Sequence, residues 1–212
     1  MSDVILHEDF AGHSIDSRLS WFNLPRRWEL RDSRLVVEPH AKSDFWYKTH
    51  YGFIAHNGSL LYADVSGDFI LTTRVRLKPQ HQYDQAGLMV RLSPRSWLKT
   101  SVEYELEGPN KLGVVVTNGA YSDWSTQDLD RSEREITFRV RRESGDYIVE
   151  YALAKSRTRK QDGPDWTQLR MTHLSRDKGM IPTQCGLYAC SPKGEGFRAE
   201  FEYLKIERGR KE

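Results

Sequence analysis

Two glutamates, Glu103 and Glu105, are the residues of this sequence whose type and spacing come closest to a catalytic pair. Residues two apart on a β-strand point to the same face, with Cα atoms about 6.6–6.8 Å apart. Glycosidases use two carboxyl groups that lie about 5–5.5 Å apart for retention or about 6.5–9.5 Å apart for inversion. The spacing therefore permits glycoside chemistry, although any E-x-E sequence on a strand permits it equally.

Basic residues in the same segment argue against that chemistry. Arg91 and Lys99 fall in phase with the glutamates, so they are predicted to share one face with them. A nearby positive charge favours the ionised carboxylate, whereas a general acid needs a raised pKa. Glu103 and Glu105 are therefore weak catalytic candidates, and binding is favoured over catalysis.

Aromatic and polar residues in and around this segment fit a carbohydrate-binding surface. Rings can act as platforms for a sugar, and a few polar groups can fix its orientation. The predicted ligand-binding residues are Trp46, Tyr83, Gln85, Arg91, Lys99, Glu103 and Trp124. The alternative is that the tryptophans belong to the core, because tryptophan is highly buried on average. Trp28 and Trp166 are assigned to packing.

The segment Tyr83–Glu105 is predicted to be a β-hairpin that positions these groups on one polar face. Pairing this hairpin and the next about their turns predicts these neighbours: Arg91 with Lys99, Gly87 with Glu103, Gln85 and Gly113 with Glu105, and Val115 with Glu103. Strand glycines leave room for something to approach a sheet, which predicts a shallow groove with acids at its floor. Alternatively, the glycines ease twist and the charges pair as surface ladders.

Short alternating runs separated by turn residues continue along the whole chain and predict an all-β fold. The predicted strands are Val4–His7, Trp28–Leu30, Arg34–Val37, Leu60–Val65, Asp68–Leu77, Ala86–Ser93, Leu98–Glu107, Lys111–Thr117, Ser122–Gln127, Glu135–Arg142, Tyr147–Ala154, Trp166–Thr172, Gln184–Ala189 and Phe197–Ile206. A single helical turn is expected near Leu129–Glu133, and a long polar loop at Ser156–Asp165. We expect one two-sheet antiparallel β-sandwich over residues 1–207 and a charged tail at 208–212.

Composition excludes several classes of function. The 212 residues carry a net charge of only +2, with both signs interspersed, which argues against a nucleic-acid surface. No run approaches the ~18 apolar residues of a membrane span, and the first residues do not resemble a secretory signal. Cys185 and Cys190 are therefore expected to be reduced, in a cytoplasmic protein.

No motif for a cofactor or a metal is present in the sequence. The seven histidines show no ligand spacing, and glycine-rich nucleotide-binding patterns are missing. Asp64, Asp68 and Asp123 could offer oxygens to calcium, but their spacing matches no calcium loop. We expect no cofactor and no metal, and leave calcium and the oligomeric state open.

Several motifs resemble those of a known family. They are DFWYKTHYGF (44–53), GDF (67–69), YDQAGLMVR (83–91), WLKTSVEYE (97–105), SDWS (122–125), GLYACSP (186–192) and GF (196–197). In order and along most of the chain, they resemble the concanavalin A-like jelly-roll family that includes the regulation-of-enolase protein. They are also similar to the accessory domain at the C-terminus of some β-xylosidases. The resemblance implies an antiparallel jelly roll with a concave face and implies little about activity.

Three functions follow from these observations. The favoured hypothesis is a non-catalytic module that binds a carbohydrate or a related polar ligand on its concave face. The alternative, suggested by the resemblance, is a protein-binding regulator of a metabolic enzyme. The weakest is a glycoside-active enzyme, since related hydrolases often carry E-x-D-x-x-E on one strand and this chain has Glu103-Tyr104-Glu105-Leu106-Glu107 instead.

Overall fold

Alternating apolar and polar residues form two large antiparallel sheets in the computed structural model, which describes residues 3–154, 163–179 and 181–209. The eight-stranded sheet contains β1 (Val4–Glu8), β3 (Arg27–Leu30), β4 (Leu35–Glu38), β8 (Phe69–Lys78), β13 (Glu135–Glu143), β14 (Asp146–Leu153), β15 (Thr167–His173) and β17 (Arg198–Arg208). Its order is β15-β14-β13-β8-β17-β4-β3, and β1 also pairs with β17.

The second sheet has seven strands and a small companion. Its strands are β2 (Ser20–Phe22), β7 (Ser59–Val65), β9 (Gln85–Ser93), β10 (Ser96–Glu103), β11 (Asn110–Asn118), β12 (Tyr121–Leu129) and β16 (Thr183–Cys190). They lie in the order β12-β11-β10-β9-β16-β7-β2. The companion is a two-stranded sheet of β5 (Phe45–Tyr47) and β6 (Ile54–His56).

The main core lies between the two large sheets. In the central strands, every second residue points into it, because side chains alternate with period 2. Members from the seven-stranded sheet include Leu61, Leu88, Leu98, Val114 and Leu187, and members from the eight-stranded sheet include Leu71, Val75, Phe138, Val149 and Leu204. The predicted fold class, a two-sheet antiparallel β-sandwich, is confirmed.

The strand predictions were incomplete. Each of the fourteen predicted strands overlaps an observed one, but β2, β5 and β6 were missed. These have three residues each, which is too short for alternation to stand out from the neighbouring loops. The helical turn expected near Leu129–Glu133 is instead the end of β12 followed by a turn, in which the Glu133 amide donates to the Asp130 carbonyl at 3.0 Å.

The predicted domain boundary at 207 and the predicted loop at 156–165 both lie close to residues that the structure does not describe. Strand β17 continues to Arg208, the first residue of the predicted tail, and residues 210–212 lie outside the described part. Residues 156–162 of the expected polar loop also lie outside it. The boundary at 207 stays a prediction.

The predicted register of both central hairpins was wrong. Lys99 pairs with Met89, Ser101 with Gly87 and Glu103 with Gln85, a shift of two residues from expectation. The turn pairs Ser93 with Ser96, which gives one residue of this shift, and a bulge between Ser96 and Trp97 adds the other. In the next hairpin Gly113 lies opposite Ser101 and Val115 opposite Lys99, because the loop spans 104–109 and β11 already begins at Asn110.

Both cysteines are free and buried, on opposite faces of β16, as expected. Cys185 lies in the main core and Cys190 lies in the cluster on the other face. Among the described residues, no helix is long and apolar enough to cross a membrane.

Candidate ligand-binding site

The face of the seven-stranded sheet turned away from the main core carries a second apolar cluster, here called the outer cluster. Its buried members are Phe45, Trp46, Leu60, Met89, Trp97, Val115, Tyr188 and Cys190. The β5–β6 hairpin packs on this face, and the Tyr47 amide of β5 donates to Ser122 Oγ of β12 at 2.9 Å. Gly58 permits the close packing, because a Cβ there would lie 2.4 Å from Cys190 Sγ and 2.5 Å from Phe45.

Beside the hairpin, the outer face holds a cavity of about 590 Å³, here called the outer cavity. Ligand pockets typically have about 300–1,000 Å³, so this volume suits a small molecule. Residues of β9, β10, β11 and β12 line it from the sheet, and residues 42–57 and 192–193 line it from the loops and the hairpin. The lining residues are Lys42, Asp44, Trp46, Tyr51, Phe53, Ile54, Ala55, His56, Asn57, Tyr83, Gln85, Lys99, Glu103, Val115, Trp124, Pro192 and Lys193.

A buried lysine anchors the polar floor of the outer cavity. Lys99 is 2% exposed, and its ammonium donates at 2.9 Å to both Asp44 Oδ1 and Gln85 Oε1. Gln85 Oε1 also accepts a hydrogen bond of 3.1 Å from the Tyr188 hydroxyl. Burial is the largest single effect and lowers the pKa of Lys99, but the charges of Asp44, Cys190 and Glu103 and the hydrogen bond to Asp44 together outweigh it, so the pKa is raised. Lys99 is therefore a charged, ion-paired residue.

Glu103 lies in the same floor and is also buried, but its carboxylate has no hydrogen-bond partner among the described residues. It is 6% exposed, and within the described part of the chain no group donates a hydrogen bond to its carboxylate. Burial raises the pKa of Glu103 from 4.5 to about 7; Lys99 opposes this rise, and the charges of Asp44 and Glu105 add to it. Lys99 favours the ionised form of this acid, as predicted, but burial is the larger effect and the net shift of the pKa is upwards.

Aromatic side chains form a wall of the outer cavity around Trp46. Its ring centroid lies 5.6 Å from that of Tyr51, 6.5 Å from that of Phe53 and 6.5 Å from that of Trp124, whose ring is nearly perpendicular. The Trp46 indole donates to the Thr49 carbonyl at 3.0 Å, which fixes the ring in the hairpin loop. Tyr51 and Phe53 are 53% and 45% exposed, so this wall remains open to solvent.

Tyr83 reaches the outer cavity from a strained backbone position. Its φ of 67° lies in the left-handed region, which is uncommon for a bulky residue. The surrounding structure holds it there: the Tyr83 amide donates to the Tyr104 carbonyl at 2.8 Å, and Gln85 Nε2 donates to the Tyr83 carbonyl at 3.2 Å. Such strain tends to occur at functional sites.

The structure brings together six of the seven predicted binding residues. Those that line the outer cavity are Trp46, Tyr83, Gln85, Lys99, Glu103 and Trp124. Arg91 shares their sheet face but lies outside the cavity, because it donates to Gln184 Oε1 at 2.6 Å and its guanidinium lies 4.2 Å from the Phe22 ring centroid. Its predicted role in binding is untested.

The proposed catalytic partner Glu105 does not share a strand with Glu103. Strand β10 ends at Glu103, so the predicted strand to Glu107 was four residues too long. The Glu105 amide donates to Asn110 Oδ1 at 3.4 Å, and its carboxylate accepts from Gln82 Nε2. Glu105 does not line the outer cavity.

The two strand glycines have structural roles instead of opening a groove. A Cβ on Gly87 would lie 2.0 Å from the Thr100 carbonyl oxygen of the adjacent strand. A Cβ on Gly113 would lie 3.1 Å from Trp124 Nε1, so this glycine makes room for the tryptophan ring. The space that these glycines leave is already filled by protein atoms.

Sequence reasoning missed the part of the site that comes from residues 42–57. Asp44, Tyr51, Phe53 and Asn57 line the outer cavity, but only Trp46 of this segment was predicted. The available signal was the density of aromatic residues in DFWYKTHYGF, here 44–53. Because the strands there have three residues each, no alternation indicated which of these side chains face the sheet.

The described residues do not include the side-chain groups that hold metal ions in proteins. No group of three or more His, Cys, Asp or Glu side chains among them is placed to hold a metal ion. His56 lines the outer cavity, and burial together with the charge of Arg91 lowers its pKa.

Comparison with known proteins assigns the family. Residues 21–209 match a family described as protein of unknown function, DUF1349. The chain belongs to the DUF1349 family. It is 30% identical over 185 residues to Regulation of enolase protein 1 of Saccharomyces cerevisiae, and the match covers 87% of each chain. This confirms the resemblance on which the fold was predicted.

Solved structures share the fold of this DUF1349 chain. A functionally unknown protein from Saccharomyces cerevisiae aligns with a TM-score of 0.80 and 28% identity, over 92% of this chain and 98% of that one. A xylan beta-1,4-xylosidase from Bacillus halodurans C-125 aligns with a TM-score of 0.74 and 14% identity, over 95% of this chain and 39% of that one. The second likeness concerns the fold alone.

Proposed function

We propose that this DUF1349 protein is a non-catalytic module that binds a carbohydrate, or a polar ligand of similar shape, in the outer cavity. The observation that carries this proposal is the polar floor of Lys99, Gln85 and Glu103 beside the aromatic wall around Trp46. Sugars combine apolar faces with hydroxyl groups, so this pairing of an aromatic surface with a few polar groups suits them.

The proposal excludes catalysis by the pair that the sequence suggested. Glu103 lines the outer cavity, but Glu105 lies outside it and is bonded to Gln82. Two carboxyl groups facing one sugar are needed for glycoside hydrolysis by the usual mechanisms. Asp44 is the other carboxylate that lines the cavity, and it is ion-paired with Lys99 at 2.9 Å, so binding without hydrolysis is the better match to this site.

Calorimetric titration with neutral disaccharides tests this function. The probes are xylobiose, cellobiose and maltose, with xylobiose included because a xylan beta-1,4-xylosidase shares the fold. We expect at least one to bind, and Phe53→Ala to weaken its binding about fivefold, about 1 kcal/mol for one lost aromatic contact. Phe53 is 45% exposed, so its removal should leave the fold intact.

Tyr121→Ala is the matched control for this experiment. Tyr121 is also an exposed aromatic residue, at 62%, and does not line the outer cavity. Its removal should leave the dissociation constant unchanged. Equal weakening in both variants, or silence of the wild type towards all three disaccharides, would contradict the proposal.

A second candidate function is binding of a protein, and exposed apolar residues near the outer cavity favour it. Leu24, Tyr51, Phe53 and Ile54 are each at least 45% exposed. Asn23 Nδ2 donates to the His56 carbonyl at 2.7 Å, which holds the Leu24 loop beside β6. The relative named Regulation of enolase protein 1 suggests enolase as the protein to test.

Titration of enolase into this protein separates the two candidates. If enolase binds, Leu24→Ser should weaken the complex, because this residue belongs to the exposed apolar rim and does not line the outer cavity. Binding that survives this substitution, or no binding of enolase, would contradict the second candidate.

We also propose a cytoplasmic location. Cys185 and Cys190 are both free and buried. Reduced cysteines are typical of compartments in which thiols are kept reduced. Fractionation of cells that express the full-length protein tests this location.

A further inference from the structure

We propose that the ligand of the outer cavity is an uncharged polyol whose hydroxyl groups donate to the carboxylate of Glu103, and that ionised Glu103 determines its affinity. This inference rests on the proposed binding function and specifies the chemistry of the ligand. It is carried by the hydrogen-bonding groups that the floor of the cavity leaves without partners.

Glu103 is the main such group. It is 6% exposed, lines the outer cavity, and receives no hydrogen bond from any described residue. The carboxylate oxygens of Glu103 are not among the buried polar atoms that lack a partner, so they are open to the outer cavity. A ligand that donates hydroxyl protons to this carboxylate would form charge-assisted hydrogen bonds that no protein group provides.

Lys99 calls for a hydrogen-bond acceptor on the ligand. An ammonium group has three donors, and the described partners of Lys99 Nζ, Asp44 and Gln85, use two of them. A ligand group beside Lys99 can therefore accept a hydrogen bond from it. A hydroxyl is both donor and acceptor, so neighbouring hydroxyls on one ligand satisfy Glu103 and Lys99 together.

The charges around the outer cavity favour a neutral ligand. Lys42 and Lys193 stand with Lys99 among the lining residues and oppose a cation. Glu103 and Asp44 oppose an anion. Asp44 is also committed to the Lys99 ion pair at 2.9 Å, so it leaves no free negative charge to attract an ammonium ligand.

Ionisation of Glu103 links this binding to pH. Burial raises the pKa of its carboxyl to about 7, so the empty cavity holds the acceptor form only partly near neutral pH. Ionisable groups surround Glu103 on every side. The strands contribute Lys99 on β10, Lys111 on β11, and Tyr188 and Cys190 on β16. The loops contribute Asp44, Tyr51, Tyr83 and Glu105. Apparent affinity scales with the competent fraction, so it should rise about tenfold from pH 6 to pH 8.

Calorimetric titration of xylobiose, cellobiose and maltose at pH 6, 7 and 8 tests the inference. We expect the neutral sugar that binds to gain about tenfold in affinity over this range. Glucuronate and choline, which keep their charges throughout, should bind more weakly than the neutral sugar. At pH 6, binding should release close to one proton, measured from the heats in buffers of different ionisation enthalpy.

Two substitutions sharpen the test. Glu103→Gln should weaken the binding of the neutral sugar and make its affinity independent of pH. Glu105→Gln removes the same charge two residues away, outside the outer cavity, and should keep the pH dependence with a slightly lower midpoint, because the charge of Glu105 is the smallest of the effects on the pKa of Glu103. Thermal unfolding of each variant establishes that it is folded. Proton release is measured on the wild type, so it tests the inference even if a variant does not fold.

The outcomes separate this inference from the proposed function. A neutral sugar that binds with the same affinity at pH 6 and 8, without proton release, would overturn the inference and leave the binding function standing. Tighter binding of choline or glucuronate would overturn the neutral-polyol assignment. Silence towards every sugar at every pH would overturn both.

Discussion

Glu103 shows how burial, more than the sign of its neighbours, decides the chemistry of a side chain. Its pKa rises from 4.5 to about 7, because burial opposes its charge and outweighs the opposite effect of Lys99. An acid with a raised folded-state pKa contributes stability below the unfolded-state pKa, and this contribution is lost as the pH rises through the folded-state value.

This linkage predicts that Glu103→Gln changes the pH dependence of stability. From about pH 4.5 to above pH 7, the wild type should lose on the order of 3 kcal/mol relative to the variant, since one pKa unit corresponds to about 1.4 kcal/mol. Urea unfolding at pH 5, 6, 7 and 8 measures this difference. Glu105→Gln should keep a profile of the wild-type shape with a slightly lower midpoint, because the charge of Glu105 contributes to the raised pKa of Glu103. A Glu103→Gln profile parallel to the wild type would refute the prediction.

At the residue scale, the sequence indicated which side chains face the site but not how they pair. Alternation along β9 and β10 was enough to place Gln85, Lys99 and Glu103 together. Asp44 lies 55 residues before Lys99 in the sequence, so no local pattern revealed their ion pair. The sequence also did not reveal how deeply Glu103 is buried, and burial outweighs Lys99 and raises the pKa of this acid.

At the element scale, alternation predicted the long strands, and the turn and a bulge decided their register. The faces of β9 and β10 were correct, but the turn and the bulge at Ser96 and Trp97 each shifted their pairing by one residue. A shift by an even number preserves the faces. This is why Gln85, Lys99 and Glu103 still meet although the predicted pairs were wrong.

Gly87 offers a test of how tightly β9 and β10 pack. Gly87→Ala should lower the free energy of unfolding by about 1–3 kcal/mol, because its Cβ would lie 2.0 Å from the Thr100 carbonyl oxygen. Gly12→Ala is the control, since the nearest atom to its Cβ would be 3.5 Å away. Urea unfolding compares them, and a Gly87→Ala variant as stable as Gly12→Ala would contradict this account.

At the scale of the whole molecule, the two faces of the seven-stranded sheet have different roles. One face builds the main core with the eight-stranded sheet, and the other carries the outer cluster and cavity. The site therefore stands on a sheet whose position is fixed by the core behind it. Substitutions at the cavity rim should affect binding more than folding, whereas buried polar contacts between distant segments should affect folding.

The buried contact between Arg142 and Asp177 is the clearest such case. Arg142 of β13 and Asp177, before β16, are 0% and 2% exposed, and Arg142 Nε donates to Asp177 Oδ2 at 2.8 Å. Arg142 also donates to the Gly67 carbonyl at 2.8 Å, and the Tyr147 hydroxyl donates to Asp177. The group thus joins three separated parts of the chain.

Removing one partner should leave a buried charge without compensation. Asp177→Ala should lower the free energy of unfolding by about 3–5 kcal/mol, as for other broken buried pairs. Asp3→Ala, which breaks the exposed pair with Arg208, should cost less than about 1 kcal/mol. Adding Arg142→Met to Asp177→Ala should recover part of the loss, because the unpaired charge is then gone. Urea unfolding measures all three, and equal stability of the Asp177 and Asp3 variants would show that the buried pair does not hold these segments together.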